Sequence, residues 1–310
     1  SYFGLEMIWD KLPPLRYSAD VCGKVTEEAA KATGLPAGIP VAAGMFDVDA
    51  CGIASGLVSE EEMCMVAGTW SINEYISRKP IVNGNISLNS MFCIPGYYLV
   101  EESSPTSAGN LEWFIRNLMS YEKAEMAEQG KSVYEIVNGW VEEIGPKDSQ
   151  VVFLPFLNGS NENALAKGTF VGLTAYHGKK HMVRAVYEGI VFSHLTRVKK
   201  LLANREAPKS IRLSGGAAKR RVWVQIFADA LQIPVDTIGD KELGAQGAAI
   251  AAGIAAGIYA NYEEAVKRTV QITDTVYPRE EYREIYEKKY RTYRKVIEGL
   301  NGAWDCFENE

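Results

Sequence analysis

Apolar residues along the chain change their period several times, and each change marks an element. Pro40-Val41-Ala42-Ala43-Gly44-Met45-Phe46 is an unbroken apolar stretch that predicts a short buried strand, with Asp47 directly after it. Residues 62–69 and 71–76 read as paired strands, 91–93 and 97–100 as further strands, and Asn83-Gly84 as a hairpin or tight turn. Helices are predicted over 107–119 and 133–144, followed by the apolar strand Val151-Val152-Phe153-Leu154. From Val183 to Leu202 the apolar positions keep a helical period for about five turns. Ile211 to Leu213 is a short strand, and Trp223, Ile226, Phe227, Ala230 and Leu231 mark the buried face of the next helix. The last long helix, predicted over 279–300, carries Tyr282, Tyr286, Tyr290 and Tyr293 as a packing stripe. Near the start, Thr26 with Glu27 and Glu28 predicts a capped helix that Gly34 closes. Alternating elements with glycines at their junctions indicate an α/β fold.

Composition narrows the function. Of 310 residues, 47% are hydrophobic and 23% charged, with a net charge of −6, which argues against a nucleic-acid footprint. The five cysteines, Cys22, Cys51, Cys64, Cys93 and Cys306, share no CxxC spacing and read as free thiols of a reducing, cytoplasmic compartment. No apolar stretch reaches the length of a membrane span, so no membrane partner is expected. Phosphate-loop, dinucleotide, zinc-protease and hydrolase-elbow motifs are missing from the sequence. His177 and His181 read as solvated or capping and His194 as a core histidine, so no metal site is expected.

Candidate chemistry gathers at Asp47 and three glycine junctions. A carboxylate at a buried strand end can be partly desolvated into a general base, and the small residues of 50–56 let a substrate approach. Asp47 is equally readable as the N-cap of the next helix. Gly68 offers an unshielded N–H and Thr69 a hydroxyl to a phosphate oxygen, although a plain β-turn explains them as well. Ser214-Gly215-Gly216-Ala217 joins a strand to a helix, where a nucleotide can lie on bare backbone or where the join simply needs small residues. Gly244 to Ala249 permits close approach of a helix or a flat ring.

Taken in order, these motifs resemble the C-terminal portion of FGGY-family carbohydrate kinases, closest in look to the pentulose branch. Further segments join the resemblance: Thr106-Ser107-Ala108-Gly109, Phe153-Leu154-Pro155-Phe156, Gly168 to Leu173, and Arg184 to Gly189. It implies an actin-like, ribonuclease-H-like ATPase domain, with ATP and Mg²⁺ as cofactors and a small sugar, a ketopentose such as xylulose, as substrate. It implies Asp47 as catalytic base in preference to Asp49, Gly68 and Thr69 at the ATP phosphates, and Gly215, Gly216, Ala217 and Gln225 at adenosine. Residues 1–43 are expected to be the remnant of an N-terminal sugar-side domain and 44–310 the ATP-side domain. The rest of the first domain is expected to be missing, leaving this chain alone inactive. A homodimer is compatible with the resemblance.

Two departures stand out. Trp70 follows Gly68-Thr69 where the family usually has Ser, and Asn158-Gly159-Ser160-Asn161-Glu162 replaces a Gly-Glu-Arg run. They motivate an alternative: a catalytically silent, actin-like module that senses nucleotide or sugar. Another member of the superfold, such as an acetate kinase or chaperone-type ATPase, fits the Asp47 and Arg184 contexts less well.

Overall fold

In the computed structural model, residue 4, residues 6–239 and residues 242–307 are described. The chain opens with a 3-10 turn, Glu6–Lys11, and a two-stranded ribbon, β1 (Val21–Lys24) with β2 (Pro40–Ala42), spanned by α1 (Glu27–Thr33). Thr26 Oγ1 accepts from Ala29 N at 3.1 Å and Gly34 closes α1 at φ 77°, as the sequence predicts. Then come α2 (Asp47–Ala54), β3 (Cys64–Ala67), β4 (Ser71–Ser77), β5 (Leu88–Met91) and β6 (Tyr98–Ser104). α3 (Gly109–Leu118), α4 (Ser120–Glu128) and α5 (Val133–Glu143) lead to a second ribbon, β7 (Val152–Leu154) with β8 (Thr169–Val171). The remainder alternates: α6 (Lys179–Leu202), β9 (Ile211–Ser214), α7 (Arg221–Leu231), β10 (Val235–Ile238), α8 (Leu243–Ala255), α9 (Tyr262–Thr269), β11 (Ile272–Val276) and α10 (Arg283–Leu300).

Seven strands form one sheet in the order β11-β10-β9-β3-β4-β6-β5. β3, β9 and β10 are parallel to one another, and the other pairings are antiparallel. Strand alternation gives the sheet two apolar faces. Met65, Tyr75, Val100, Leu213 and Val235 meet α6 and its neighbours, while Cys64, Ile76 and Leu99 meet α2, α8 and α9 through Ile53, Ile250 and Ala265. Both faces are covered, so the central strands are largely buried, polar residues such as Asn73 and Glu74 of β4 included.

α6 runs through the core, and its polar residues are buried with partners. Arg184 Nε donates to Glu188 Oε1 at 2.8 Å, and Nη1 to the Val141 carbonyl at 2.9 Å. The tyrosine stripe of α10 packs as expected, with Tyr286 and Tyr293 buried and Tyr293 5.6 Å from the Phe192 ring. α10 itself begins later than predicted, at Arg283, after the 3-10 turn Glu280–Tyr282.

Two expectations fail here. Asn83-Gly84 forms a turn, with Asn83 Oδ1 accepting from Asn85 N at 3.0 Å, but it closes no hairpin. The strands on either side, β4 and β5, both pair with β6 instead. The apolar run at 40–46 is not a buried strand either: β2 stops at Ala42, pairs only with β1, and is partly exposed. A two-stranded ribbon buries little, so apolar sequence there does not mean core.

Candidate active site

Parallel β3 and β9 are neighbours with Val66 opposite Ser214, which sets two turns side by side at their C-terminal ends. Gly68–Trp70 follows β3, and the 3-10 turn Gly216–Lys219 follows β9. Gly215 sits at φ 84°, and a Cβ there would lie 2.7 Å from the Ala67 carbonyl oxygen and 3.0 Å from Gly68 N. Only glycine lets the two turns approach so closely. In open α/β sheets, ligands lie outside the carboxyl ends of parallel strands, where these turns stand. The structure thus brings Gly68, Thr69, Gly215, Gly216 and Ala217 together, although about 145 residues separate them along the chain.

The turn does not present Gly68 as the sequence suggests. Its N–H donates to the Trp70 carbonyl at 3.2 Å, so that donor is engaged within the hairpin. Thr69 sits exposed at the tip, and its carbonyl accepts from Ser107 N at 3.1 Å. Among the described residues the Thr69 hydroxyl has no partner, so Thr69 rather than Gly68 supplies an outward donor. Gly216 is exposed, and the first N–H groups of its turn lack intrahelical partners.

A buried histidine holds this hairpin from beneath. His194 is 0% exposed, with Nδ1 2.8 Å from Asn73 Oδ1 and Nε2 2.9 Å from Ser107 Oγ. The amide oxygen can only accept, so Nδ1 carries the proton and Nε2 accepts from the serine hydroxyl. Burial, followed by the charge of Arg197, pushes the imidazole down to about 3, which keeps it neutral. His194 is therefore the core histidine the sequence suggests, and it ties β4 to the segment that holds Thr69. His177 and His181 cap turns, accepting from Thr174 N at 3.0 Å and Gly178 N at 3.2 Å.

Asp47 is the first residue of α2, with Phe46 as N-cap, so it is neither at a strand end nor the cap itself. It is exposed, and its Oδ1 accepts from Val48 N at 3.0 Å. The desolvated carboxyl is Asp49, which is 4% exposed and pushed up to about 7, by burial first and then by the charges of Asp47 and Glu101. Two positions along a helix are about 200° of rotation, which turns Asp49 inward when Asp47 faces out.

α2 crosses the sheet along one register row. Gly52 lies over β4, where a Cβ would meet Glu74 Oε1 at 3.1 Å, and Glu74 is opposite Glu101 on β6. Glu74 is fully buried with neither carboxyl oxygen hydrogen-bonded, and burial followed by the Glu101 and Asp49 charges raises it well above the usual range. Burial chiefly raises Glu101 as well, with the charge of Asp47 adding. α8 backs α2 directly: a Cβ at Gly247 would fall 2.0 Å from the Ala50 carbonyl oxygen. The small residues of 244–249 thus serve helix-on-helix contact. Between α2 and the Thr69 hairpin, the next register row of the same face holds Val66, Ile72 and Ser103, all half-buried.

Gln225 faces a different cavity, of about 350 Å³, lined by Val141, Arg184, Arg221 and Arg279. Its Nε2 donates to Asp229 Oδ1 and to the Tyr277 carbonyl, both at 2.9 Å. Sequence reasoning passed over Arg220, the N-cap of α7, whose guanidinium lies 3.5 Å from the centroid of the Tyr134 ring with its Nε buried and without a partner. The signal was present in Lys219-Arg220-Arg221, three cations at a helix N-terminus where the macrodipole favours anions.

Comparison with known proteins agrees with this geometry. Residues 63–256 match the profile of the C-terminal domain of the FGGY family of carbohydrate kinases, and residues 1–54 that of its N-terminal domain. The chain belongs to the FGGY family of carbohydrate kinases. It is 33% identical over 308 residues to an L-xylulose/3-keto-L-gulonate kinase of Escherichia coli, covering 97% of this chain and 58% of that protein. A probable L-xylulose kinase of Haemophilus influenzae is 32% identical, with 96% and 59% covered. The chain thus spans somewhat more than half the length of these relatives. Among solved structures, the xylulose kinase of Rhodospirillum rubrum superposes with a TM-score of 0.81 at 26% identity, covering 95% of this chain and 58% of that one. A ligand-bound xylulose kinase of Lactobacillus acidophilus, 21% identical, shares the fold with a TM-score of 0.85, covering 97% and 60%. The fold is the actin-like, ribonuclease-H-like one. The match of residues 1–54 corrects the expectation of an absent first domain, and the inactivity expected to follow from that absence has no support. No described helix is long and apolar enough to cross a membrane.

Proposed function

We propose that this protein transfers the terminal phosphoryl group of ATP to a hydroxyl of a small ketose, a ketopentose such as xylulose, with Asp47 as general base. The observation that carries the reading is the line of elements on one sheet face. The 215–217 turn stands on β9, the Thr69 hairpin on β3, and Asp47 opens α2, which lies over β4 through Gly52. Adenosine is held at Gly215, Gly216 and Ala217, and the phosphates meet Thr69 and the backbone beside Gly68. The backbone fits this role, because Gly216 is exposed, with only the Ala67 carbonyl oxygen within 4.0 Å of a Cβ there, and the first N–H groups of its turn lack intrahelical partners. The Lys219-Arg220-Arg221 run adds positive charge to the helix N-terminus. Gln225 enters the adenosine site through its neighbours on α7, since its own amide nitrogen is engaged. ATP supplies the transferable group, and Mg²⁺ neutralises its charge.

In this reading Asp47 accepts the proton of the attacking hydroxyl. Its exposure leaves it able to reach substrate, whereas Asp49 is buried. The residues' other work is placement, which supplies much of the rate in phosphoryl transfer. We place the boundary between the sugar-side and ATP-side parts at residues 43/44, because the β1–β2 ribbon lies outside the seven-stranded sheet.

Asp47→Asn should lower kcat at least 100-fold, the scale of a lost general base, with ATP affinity within twofold. Retention of most kcat by Asp47→Asn, together with its loss in Asp49→Asn, would move the base to Asp49. The silent sensing module rests on Trp70 and the 158–162 loop. It predicts ligand binding without ADP release across pentuloses, hexuloses and glycerol.

A further inference from the structure

The two departures from the family pattern, at Trp70 and at 158–162, meet at one place in the fold. Trp70 is cross-strand from Gly68 through the 3.2 Å bond between Gly68 N and its own carbonyl, so it ends the β3–β4 ladder. By strand alternation it falls on the face of Ile72 and Glu74, the face that α2 crosses. Ile72 is paired with Ser103 on β6, and the Ser103 carbonyl accepts from Asn161 Nδ2 at 2.7 Å. The replaced loop is therefore docked on the strand next to Trp70. It is also braced from behind, with Arg294 Nη1 2.7 and 2.6 Å from the two carboxylate oxygens of Glu162.

Trp70 is 54% exposed, and among the described residues its indole has no hydrogen-bond or ring partner. A large aromatic left half in solvent, beside a hairpin tip whose hydroxyl is also free, is a surface without an internal structural task. Strand order fixes which ligand it can meet. The 215–217 turn lies on β9, one strand to one side of β3, and Trp70 directly precedes β4 on the other side. A nucleotide reaching from β9 to Thr69 ends where Trp70 begins, so the indole faces the acceptor and not the adenosine.

We infer that Trp70 is a specificity-determining residue for the acceptor. Its ring face stacks on the C–H side of a small polyhydroxylated ketose, and its Nε1–H is free to donate to a hydroxyl. The docked 158–162 loop forms the adjoining wall through Asn161 and Ser103. A serine at position 70 would leave that side of the acceptor open to water, and a ligand held there would lose both the ring contact and the donor. This rests on the kinase reading, which puts the nucleotide on the β9 side; the ketose contact itself is read separately, by fluorescence.

The test compares wild type, Trp70→Phe and Trp70→Ser, each first checked for an unchanged thermal midpoint. L-xylulose, D-xylulose and ribulose serve as probes, in coupled ADP-release kinetics and in titrations followed by tryptophan fluorescence. The expected result is an acceptor KM raised at least tenfold in Trp70→Ser and only a fewfold in Trp70→Phe, with KM for ATP within twofold in both. Ketose should also produce a saturable fluorescence change in wild type that is absent in Trp70→Phe, although five other tryptophans remain. An unchanged acceptor KM in Trp70→Ser, or a loss confined to ATP, overturns the inference while leaving the kinase reading intact. No turnover with any ketose, together with a Trp70-dependent fluorescence response, sinks the kinase reading and keeps the inference. No ketose response in wild type sinks the inference.

Discussion

Replacing Gly247 by alanine tests whether the packing of α8 sets the position of the proposed base. The added Cβ would stand 2.0 Å from the Ala50 carbonyl oxygen and 2.6 Å from its Cα, where ordinary contact begins near 3.4 Å. Both near atoms are backbone, so no side chain can swing away. α2 and α8 must separate by about 1.4 Å at that point, or tilt by an equivalent amount. Ala50 is one helical turn from Asp47, and α2 has no side-chain cap to hold its start. The displacement should therefore reach the carboxylate nearly undiminished. Overpacking of this kind costs about 1–3 kcal/mol, and a misplacement near 1 Å costs about 100-fold in rate. Urea unfolding and steady-state kinetics on Gly247→Ala should show both losses, with KM for ATP nearly unchanged. Gly253→Ala, near the far end of α8, is the control: its Cβ would meet only the ring of Tyr259, a side chain beyond the helix. A Gly247→Ala protein with wild-type stability and kcat would refute the view that α8 positions Asp47.

Two further outcomes follow from the same region. Asp49 is pushed up to about 7 from an ordinary 3.8, so the folded protein holds a proton between those values that the unfolded chain releases. Stability must then fall as pH rises from about 4 to about 7, by at most about 4 kcal/mol from this group. Asp49→Asn should flatten that slope in thermal melts and stabilise the protein at pH 8, and an unchanged slope would show that Asp49 does not cause it. Gly215→Ala forces an L-residue to φ 84° and puts its Cβ 2.7 Å from the Ala67 carbonyl oxygen, driving the two turns apart. ADP affinity by calorimetry should drop at least tenfold while ketose binding holds, and equal ADP affinity would remove the turns from the nucleotide site.

Local signals were legible wherever they were self-sufficient. The apolar pattern placed α5 within a residue, where the structure shows a Ser132 capping box with Glu135, and Thr26 and Gly34 bounded α1. β10 escaped because Val-Asp-Thr-Ile hides its burial behind polar side chains, and β11 because Ile-Thr-Asp-Thr-Val is an edge strand that is mostly exposed. Asp236 is accommodated by hydroxyls, with Thr275 Oγ1 donating to its Oδ1 at 2.7 Å. α4 and α9 are short and mostly charged, and their helical character depends on what they pack against. At the site, each glycine turn was visible singly, but their adjacency was not, because it depends on the pairing of β3 with β9. The inward turn of Asp49 was within reach, since helical rotation alone separates it from Asp47. The engagement of Gly68 N was not, because a three-residue hairpin's internal bond leaves no mark in sequence.

The order β9-β3-β4-β6 has a consequence for size. Everything that must be aligned for transfer lies across the strands, not along them, so its spacing is counted in inter-strand hydrogen bonds. Two such intervals separate the strand bearing Gly215 from the strand beneath Gly52 of α2, about 10 Å at the usual separation. Lengthening a loop at either end of a strand leaves that ruler untouched. Loops at the rim can therefore vary to suit different acceptors while the reach from nucleoside to hydroxyl stays constant.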